Sequence, residues 1–137
     1  MIFKDDTRDQ YIGKWNWTAE GYVNLVYDNA YVRKHIIFEK LSDTVAISKS
    51  GENDLDIPIQ GSSKLFKLTE SVLSTEIDKE TRKFDEFIIK TQNSYSAQAS
   101  EKLIIITRNI EGVWSNTDNR EEGVATGKVT IILEKKG

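Results

Sequence analysis

The one histidine of this 137-residue chain, His35, is the side chain best suited to acid–base chemistry, because an imidazole exchanges protons near neutral pH. Catalysis would also require a positioned partner such as a carboxylate or a serine. Glu39 follows four residues later on the same strand face, which places it about 13 Å away along an extended chain. The sequence therefore favours a histidine on a strand surface over a catalytic or metal-binding residue.

Carboxylates gather in two segments rich in turn residues, where their oxygens could hold a hard cation such as Ca²⁺. Neither segment has the spacing of an EF-hand loop, and acid pairs at glycosidase distances arise by chance in a chain with 22 Asp and Glu residues. We interpret both segments as solvated hairpin loops and predict no metal site; their acids are Glu52, Asp54 and Asp56, then Asp118, Glu121 and Glu122. The chain also lacks cysteine and any glycine-rich phosphate loop, so the sequence predicts no cofactor.

Aromatic residues offer a different chemistry, because tyrosine and tryptophan combine an apolar body with a polar tip that suits the recognition of ligands and partners. Most of the aromatic side chains belong in a core. Four of them are candidates for a ligand-binding site: Trp17, Tyr27, Tyr31 and Trp114. Trp15 is expected to be structural instead, together with Gly13 two residues before it.

Alternation of apolar and polar residues dominates the chain and predicts the strands that would position these side chains. Val129, Ile131 and Leu133 show it most clearly, and short turn-forming segments separate the runs. Pro58 predicts an edge or a bulge, and Ser94–Glu101 is the best helical candidate. We predict strands at about 13–19, 22–27, 31–41, 44–49, 55–59, 65–68, 73–77, 84–91, 102–110 and 124–134.

The predicted fold is therefore all-β, an antiparallel meander of about eight to ten strands that forms a barrel or a curled sandwich with at most one short helix. Two runs, at 87–89 and 103–106, are apolar on both faces and predict central strands. A length of 137 residues fits one domain. We place this β domain at residues 11–137, after a polar leader or tether at residues 1–10.

Charge and hydropathy narrow the classes of partner. The formal net charge is −3 and the basic residues are interspersed with acids, so we expect no nucleic-acid partner. No apolar run approaches the roughly 18 to 20 residues of a transmembrane helix, so we expect no transmembrane segment.

The segment Gly13-Lys14-Trp15 matches the G-x-W motif of the lipocalins and their calycin relatives, which the chain resembles in this motif and in its antiparallel pattern. The resemblance implies that Trp15 packs across the closed end of a barrel, with Arg108 as the candidate for the family's arginine stacked on that tryptophan. The polar leader and the ending Gly127–Ile131 also resemble lipocalin-like domains found as mature, mostly uncharacterised lipoproteins of Gram-negative bacteria. That resemblance implies an extracytoplasmic location, periplasmic or at the cell surface, and a lipid anchor that the chain as given would lack.

Three hypotheses on function follow. The first is a non-enzymatic, extracytoplasmic, lipocalin-like binding module for a small apolar ligand or for a protein or glycan partner. The second is an inhibitor or assembly module with a filled core, which uses an exposed edge strand or hairpin loop against a protein. The third is a small β-barrel enzyme with a carboxylate pair or His35 in a cup, and we expect no enzyme because the sequence shows no catalytic constellation.

Overall fold

A computed structural model gives the structure of the chain and describes residues 7–27, 31–59, 62–69, 72–75 and 77–136. The predicted all-β class and antiparallel meander are confirmed. Residues 1–6 of the predicted leader and the predicted turn at 28–29 lie outside the described residues. After a 3-10 turn at Asp9–Tyr11, the strands are β1 (Gly13–Tyr27), β2 (Tyr31–Ser50), β3 (Asp54–Ile59), β4 (Ser62–Thr69), β5 (Val72–Ser74), β6 (Asp78–Phe84), β7 (Phe87–Ala99), β8 (Leu103–Asn116) and β9 (Glu122–Lys135).

The strands close into an up-and-down barrel. Each strand from β1 to β4 pairs with the next, β7 to β9 continue the series, and β9 pairs back onto β1 from Trp15 to Val26. β5 and β6 pair with successive segments of β7, at Ser96–Gln98 and at Phe87–Asn93. These two strands therefore share one position, and the nine strands make an eight-position barrel.

Two pairs of predicted strands are single bent strands in the structure. β1 runs through the expected break near residue 20, with a shift of register between Trp17 and Ala19, and β2 runs through the turn expected at 42–43. Gly21 faces the interior so closely that a Cβ there would lie 2.2 Å from the carbonyl oxygen of Lys128 on β9. A glycine at such a position permits the sharp bend that a small barrel needs.

The helical prediction for Ser94–Glu101 is wrong, because β7 continues to Ala99. Tyr95, Ala97 and Ala99 alternate inward and are buried there, so the period is that of a strand. The prediction that the run at 103–106 belongs to a central strand is confirmed. Its β8 is flanked by β7 and β9, but Ile105 on the outer face is 41% exposed.

The end of the barrel where β1 begins is closed by packed side chains. Trp15 is fully buried and its Nε1 donates a hydrogen bond to the carbonyl oxygen of Tyr11 at 2.9 Å. Arg8 donates from Nη1 to the carbonyl oxygens of Ser50, Gly51 and Asp54 at 3.0 to 3.1 Å, which ties the 3-10 turn to the β2–β3 connection. Trp15 thus packs against the segment that precedes β1 at this end of the barrel.

The cation above Trp15 is not Arg108, however. The Nζ of Lys135 on β9 lies 5.8 Å from the centroid of the Trp15 ring. Arg108 faces the interior, where it contacts Asn93 and Glu80 instead. The assignment of Arg108 to the tryptophan was wrong because it rested on strand order, while the interior position of Arg108 follows from the alternation along β8.

We call the end of the barrel opposite Trp15 the rim. Toward the rim, one side of the barrel lacks hydrogen bonds between neighbouring strands among the described residues. In the described part of the chain β2 pairs with β3 only at Ser48–Ser50, and β6 pairs only with β7. Pro58 lies beyond the last β2–β3 pair, as its missing N–H predicted. The free edge of β6 and the facing part of β2 at Tyr31–Ile37 flank this gap, which we call the open side.

Candidate functional site

Two of the four aromatic candidates meet near the rim. The ring centroids of Tyr27 and Trp114 are 6.2 Å apart, and Phe87 packs edge-on against Trp114 at 5.5 Å. Trp114 is buried, and its Nε1 donates to the carbonyl oxygen of Val26 at 3.0 Å. Because the polar atom of Trp114 is already satisfied, this residue packs the wall and offers no free donor to a ligand.

The other two aromatic candidates lie at different depths in the barrel. Tyr31 pairs with Tyr27 across the β1–β2 connection and is 65% exposed at the rim. Trp17 is buried in the half of β1 nearer the closed end, and its Nε1 has no acceptor among the described residues. The structure therefore brings Tyr27, Tyr31 and Trp114 toward the rim and leaves Trp17 in the core.

Two cations cover aromatic rings beside the open side. The guanidinium of Arg33 lies 5.7 Å from the ring centroid of Phe87, and its Nε pairs with Glu121 at 3.3 Å. The Nζ of Lys34 lies 5.8 Å from the ring centroid of Phe84 at the end of β6. These contacts join β2 to β6 and β7 through side chains where, among the described residues, no strand pairing joins them.

A chain of charged and polar side chains extends from the partly exposed strand β6 to buried positions in the barrel interior. Asn93 donates from Nδ2 to Asp78 at 3.0 Å and accepts from the Nε of Arg108 at 3.1 Å. Asp78 also pairs with Lys64, and Glu80 pairs with Arg108 and accepts from the Nε of Arg82 at 3.1 Å. We call this set the ionic ladder: Lys64, Asp78, Asn93, Arg108, Glu80 and Arg82.

Burial and the charges of the ladder shift the pKa values of Asp78 and of its neighbour Tyr95. Burial alone raises the pKa of Asp78, but hydrogen bonds from Lys64 and Asn93 and the charges of Lys64 and Arg108 outweigh burial and hold that pKa below its usual range. Burial raises the pKa of the Tyr95 phenol, whose ring lies 5.7 Å from the Nζ of Lys64. Asp78 is therefore a paired carboxylate at neutral pH, and Tyr95 is neutral.

The space above the ladder is small. A cavity of about 30 Å³ lies between apolar side chains, among them Ile36, Ile89 and Ile110, and the ladder residues Arg108, Glu80 and Arg82. A cavity of this size holds about one water molecule, whereas pockets for drug-sized ligands measure roughly 300 to 1,000 Å³. This cavity above the ladder is therefore too small for a drug-sized ligand.

The outer face beside the open side is cationic and grooved. Lys79 and Lys83 point outward from β6, and Lys90 points outward from β7 beside Thr81. An open groove of about 830 Å³ runs from Lys79 and Lys90 across β8 to Val124 on β9. Glu80 and Glu111 also line this groove, so the positive charge lies on the outer face of β6 and at Lys90 and not along the whole groove.

The other chemical candidates lie on the surface. His35 is exposed, its Nδ1 lies 2.5 Å from the Oδ1 of Asn24, and its ring stacks on Tyr22 at 5.8 Å. Within the described residues, no group of three or more His, Asp and Glu side chains could hold a metal ion. The same part of the chain contains no helix long and apolar enough to cross a membrane.

Sequence reasoning missed the ionic ladder, although a signal for it was present. Ile104, Ile106 and Ile110 define the inward positions of β8, and Arg108 occupies an inward position between them. Asn93 likewise takes an inward position of β7. A charged or amide side chain at an apolar position of a strand indicates a buried polar contact.

Comparison with known proteins finds no similar protein: no family model, no curated protein and no solved structure matches the chain. The closed antiparallel barrel is compatible with a lipocalin-like fold. The fold alone does not assign a function to the chain, because one fold hosts many functions.

Proposed function

We propose that this protein is a non-enzymatic binding module with a filled interior, and that it recognises a segment of a protein partner at its open side. The carrying observation is the cavity of about 30 Å³ above the ionic ladder, which leaves no room for a drug-sized apolar ligand. This favours the hypothesis of an inhibitor or assembly module over the hypothesis of a cup for small apolar molecules.

The open side supports a protein partner because strand edges carry unpaired backbone N–H and C=O groups. β6 has one strand neighbour in the sheet, and β2 pairs with β1 alone at Tyr31–Ile47 among the described residues. An extended peptide that joins such an edge gains main-chain hydrogen bonds, a recurrent mode of peptide recognition.

The non-enzymatic part of the proposal rests on how the interior charges are used. Asp78 and Glu80 are paired with Lys64, Arg82 and Arg108. A general base or acid needs a pKa near the working pH, whereas the pKa of Asp78 is lowered by its partners. The ladder is consequently better suited to holding strands together than to proton transfer.

A selection experiment tests the protein-binding proposal. The purified protein, immobilised, selects from a library of random 12-residue peptides, and synthetic copies of enriched peptides are titrated into ¹⁵N-labelled protein. Saturable binding with amide shifts concentrated in β6 and in β2 at Tyr31–Ile37 is expected. Enriched peptides that shift only amides elsewhere, or a selection without saturable binders, would overturn the proposal.

One observation favours a second candidate function, the binding of a small molecule in the interior. The Nε1 of Trp17 is buried and has no acceptor among the described residues, and a buried unpaired donor is costly. A ligand carbonyl or carboxylate could accept this hydrogen bond if the interior opened. This candidate predicts that small apolar ligands raise the melting temperature and that Trp17→Phe reduces the rise.

We also propose an extracytoplasmic location. It is based on the resemblance to lipocalin-like lipoproteins alone. Codons upstream of residue 1 in the gene test it. A signal peptide that ends in cysteine is the expected result, and an upstream stop codon without such a segment would contradict it.

A further inference from the structure

We infer that the partner segment is an extended strand of alternating acidic and apolar residues that pairs with the free edge of β6. This inference rests on the proposed function and names the chemistry of its partner. Three features of the described residues carry it: the free edge, the charges on the outer face of β6, and the apolar surface behind it.

The edge itself has the length of a peptide site. β6 runs over Asp78–Phe84, pairs with β7 along its whole length and has no second strand neighbour among the described residues. Ile36 of β2 lines the same small cavity as Glu80 and Arg82 of β6, so β2 faces β6 across the open side. A peptide of about eight residues would span this edge at roughly 3.3 Å per residue.

The positive charges at the outward positions of β6 favour acidic residues in the partner. Lys79, Thr81 and Lys83 face outward, and they are exposed. An added strand places its own outward side chains directly beside these residues, where opposite charges stabilise the pairing and like charges oppose it. Lysines on an edge also discourage pairing with uncharged strands, which makes the edge selective.

The inward positions call for apolar residues in the partner. The inward carboxylates of β6 are already paired, since Asp78 pairs with Lys64 and Glu80 pairs with Arg108 and Arg82. Behind them the cavity wall is formed by Ile36, Ile89 and Ile110. An inward valine of the added strand would extend this apolar wall, whereas an inward charge would lose hydration against it.

The test uses three synthetic octapeptides, each acetylated and amidated, and the ¹⁵N-labelled full chain. The first alternates glutamate with valine, the second alternates lysine with valine, and the third has the composition of the first in block order, with all its glutamates before all its valines. The inference predicts saturable amide shifts in β6 and at Tyr31–Ile37 with the first peptide, and binding at least about tenfold weaker with the other two.

Charge reversal supplies the matched variants. Lys79→Glu with Lys83→Glu is expected to weaken binding of the Glu-Val peptide about tenfold and to strengthen binding of the Lys-Val peptide. Lys102→Glu with Lys128→Glu makes the same change of net charge at exposed positions away from β6 and should leave both affinities unchanged. An unchanged melting temperature would show that each variant is folded.

Several outcomes would overturn the inference. These are a Glu-Val peptide that does not bind, equal binding of the block peptide, or equal effects of the two double variants. Concentration-dependent shifts of the β6 amides without peptide would instead assign the edge to a second copy of the chain. If the random library yields binders at the open side while the Glu-Val peptide fails, only the partner chemistry is wrong and the proposed function stands.

Discussion

Removal of Arg108 tests whether the ionic ladder holds the interior of the barrel together. The side chain of Arg108 is 5% exposed and donates to the Oδ1 of Asn93 and to Glu80. Arg108→Met keeps most of the apolar stem and removes both donors. Asn93 is buried, so its Oδ1 loses a donor that water cannot readily replace.

The expected cost can be worked out from these contacts. An unsatisfied buried acceptor costs about 1–3 kcal/mol. Glu80 is partly exposed and keeps the hydrogen bond from Arg82, so the loss of its second partner adds only about 1 kcal/mol. Arg108→Met should therefore lower the free energy of unfolding by about 2–4 kcal/mol.

Urea denaturation measures this change, with Arg82→Met as the matched control. Arg82 binds the same carboxylate, but its side chain is 51% exposed, so its removal should cost less than about 1 kcal/mol. With a slope near ~1.5 kcal/mol per molar urea, Arg108→Met shifts the midpoint by more than about 1 M and Arg82→Met by less than about 0.7 M.

A double-mutant cycle with Asn93→Leu separates the ladder from simple loss of packing. When both partners are replaced, neither the Oδ1 of Asn93 nor the Nε of Arg108 is left buried without the other, so the double variant should be more stable than the sum of the single effects predicts by about 1–2 kcal/mol. Equal costs for Arg108→Met and Arg82→Met, or additivity within about 0.5 kcal/mol, would refute the reasoning.

Three further predictions concern the pH dependence and the backbone. The pKa of Asp78 is lowered in the folded state, so its contribution to stability is present above about pH 4 and is lost as pH falls further. The difference in urea midpoint between wild type and Asp78→Asn should therefore shrink from about pH 6 to about pH 3. A constant difference would contradict this. The pKa of Tyr95 is raised by burial, so wild type should lose stability as pH rises above about 10, and Tyr95→Phe should lose less over that range in thermal unfolding; parallel losses would exclude Tyr95 as the source. A Cβ at Gly112 would lie 2.0 Å from the carbonyl oxygen of Lys90, so Gly112→Ala should cost about 2 kcal/mol or more by urea denaturation, against about 1 kcal/mol for Gly51→Ala, where φ is +57° and no atom lies within 4 Å; equal costs would show that β7 and β8 can separate freely.

Alternation along the chain predicted the fold class because each strand of a barrel has one buried face. The inward isoleucines and valines of β8 and β9 give this signal directly, and the G-x-W motif assigned Trp15 to the closed end. Strand boundaries failed at β1 and β2, since glycines and bulges bend a strand without ending it.

The open side could not be predicted, because it depends on which strands fail to pair. The sequence predicts β3 and β4 as strands but does not show how far each pairs with its neighbour. β3 pairs with β2 only at Ser48–Ser50 of β2, and β4 pairs with β5 only over Lys67–Thr69 of β4, among the described residues. The aromatic candidates shared a similar limit. Tyr27 and Trp114 are 87 positions apart and meet only because β9 joins β1 and β8 near the rim.

Thermal unfolding in the presence of small apolar ligands tests the central claim, that the interior is filled and the partner binds outside. Palmitate, retinol and haem are added separately, each at about a hundredfold excess over a dissociation constant near 1 μM. A ligand of that affinity would stabilise the protein by about 2.7 kcal/mol and raise the melting temperature by about 10 °C. The filled interior predicts an unchanged melting temperature with all three, whereas a rise of several degrees that Trp17→Phe reduces would contradict it.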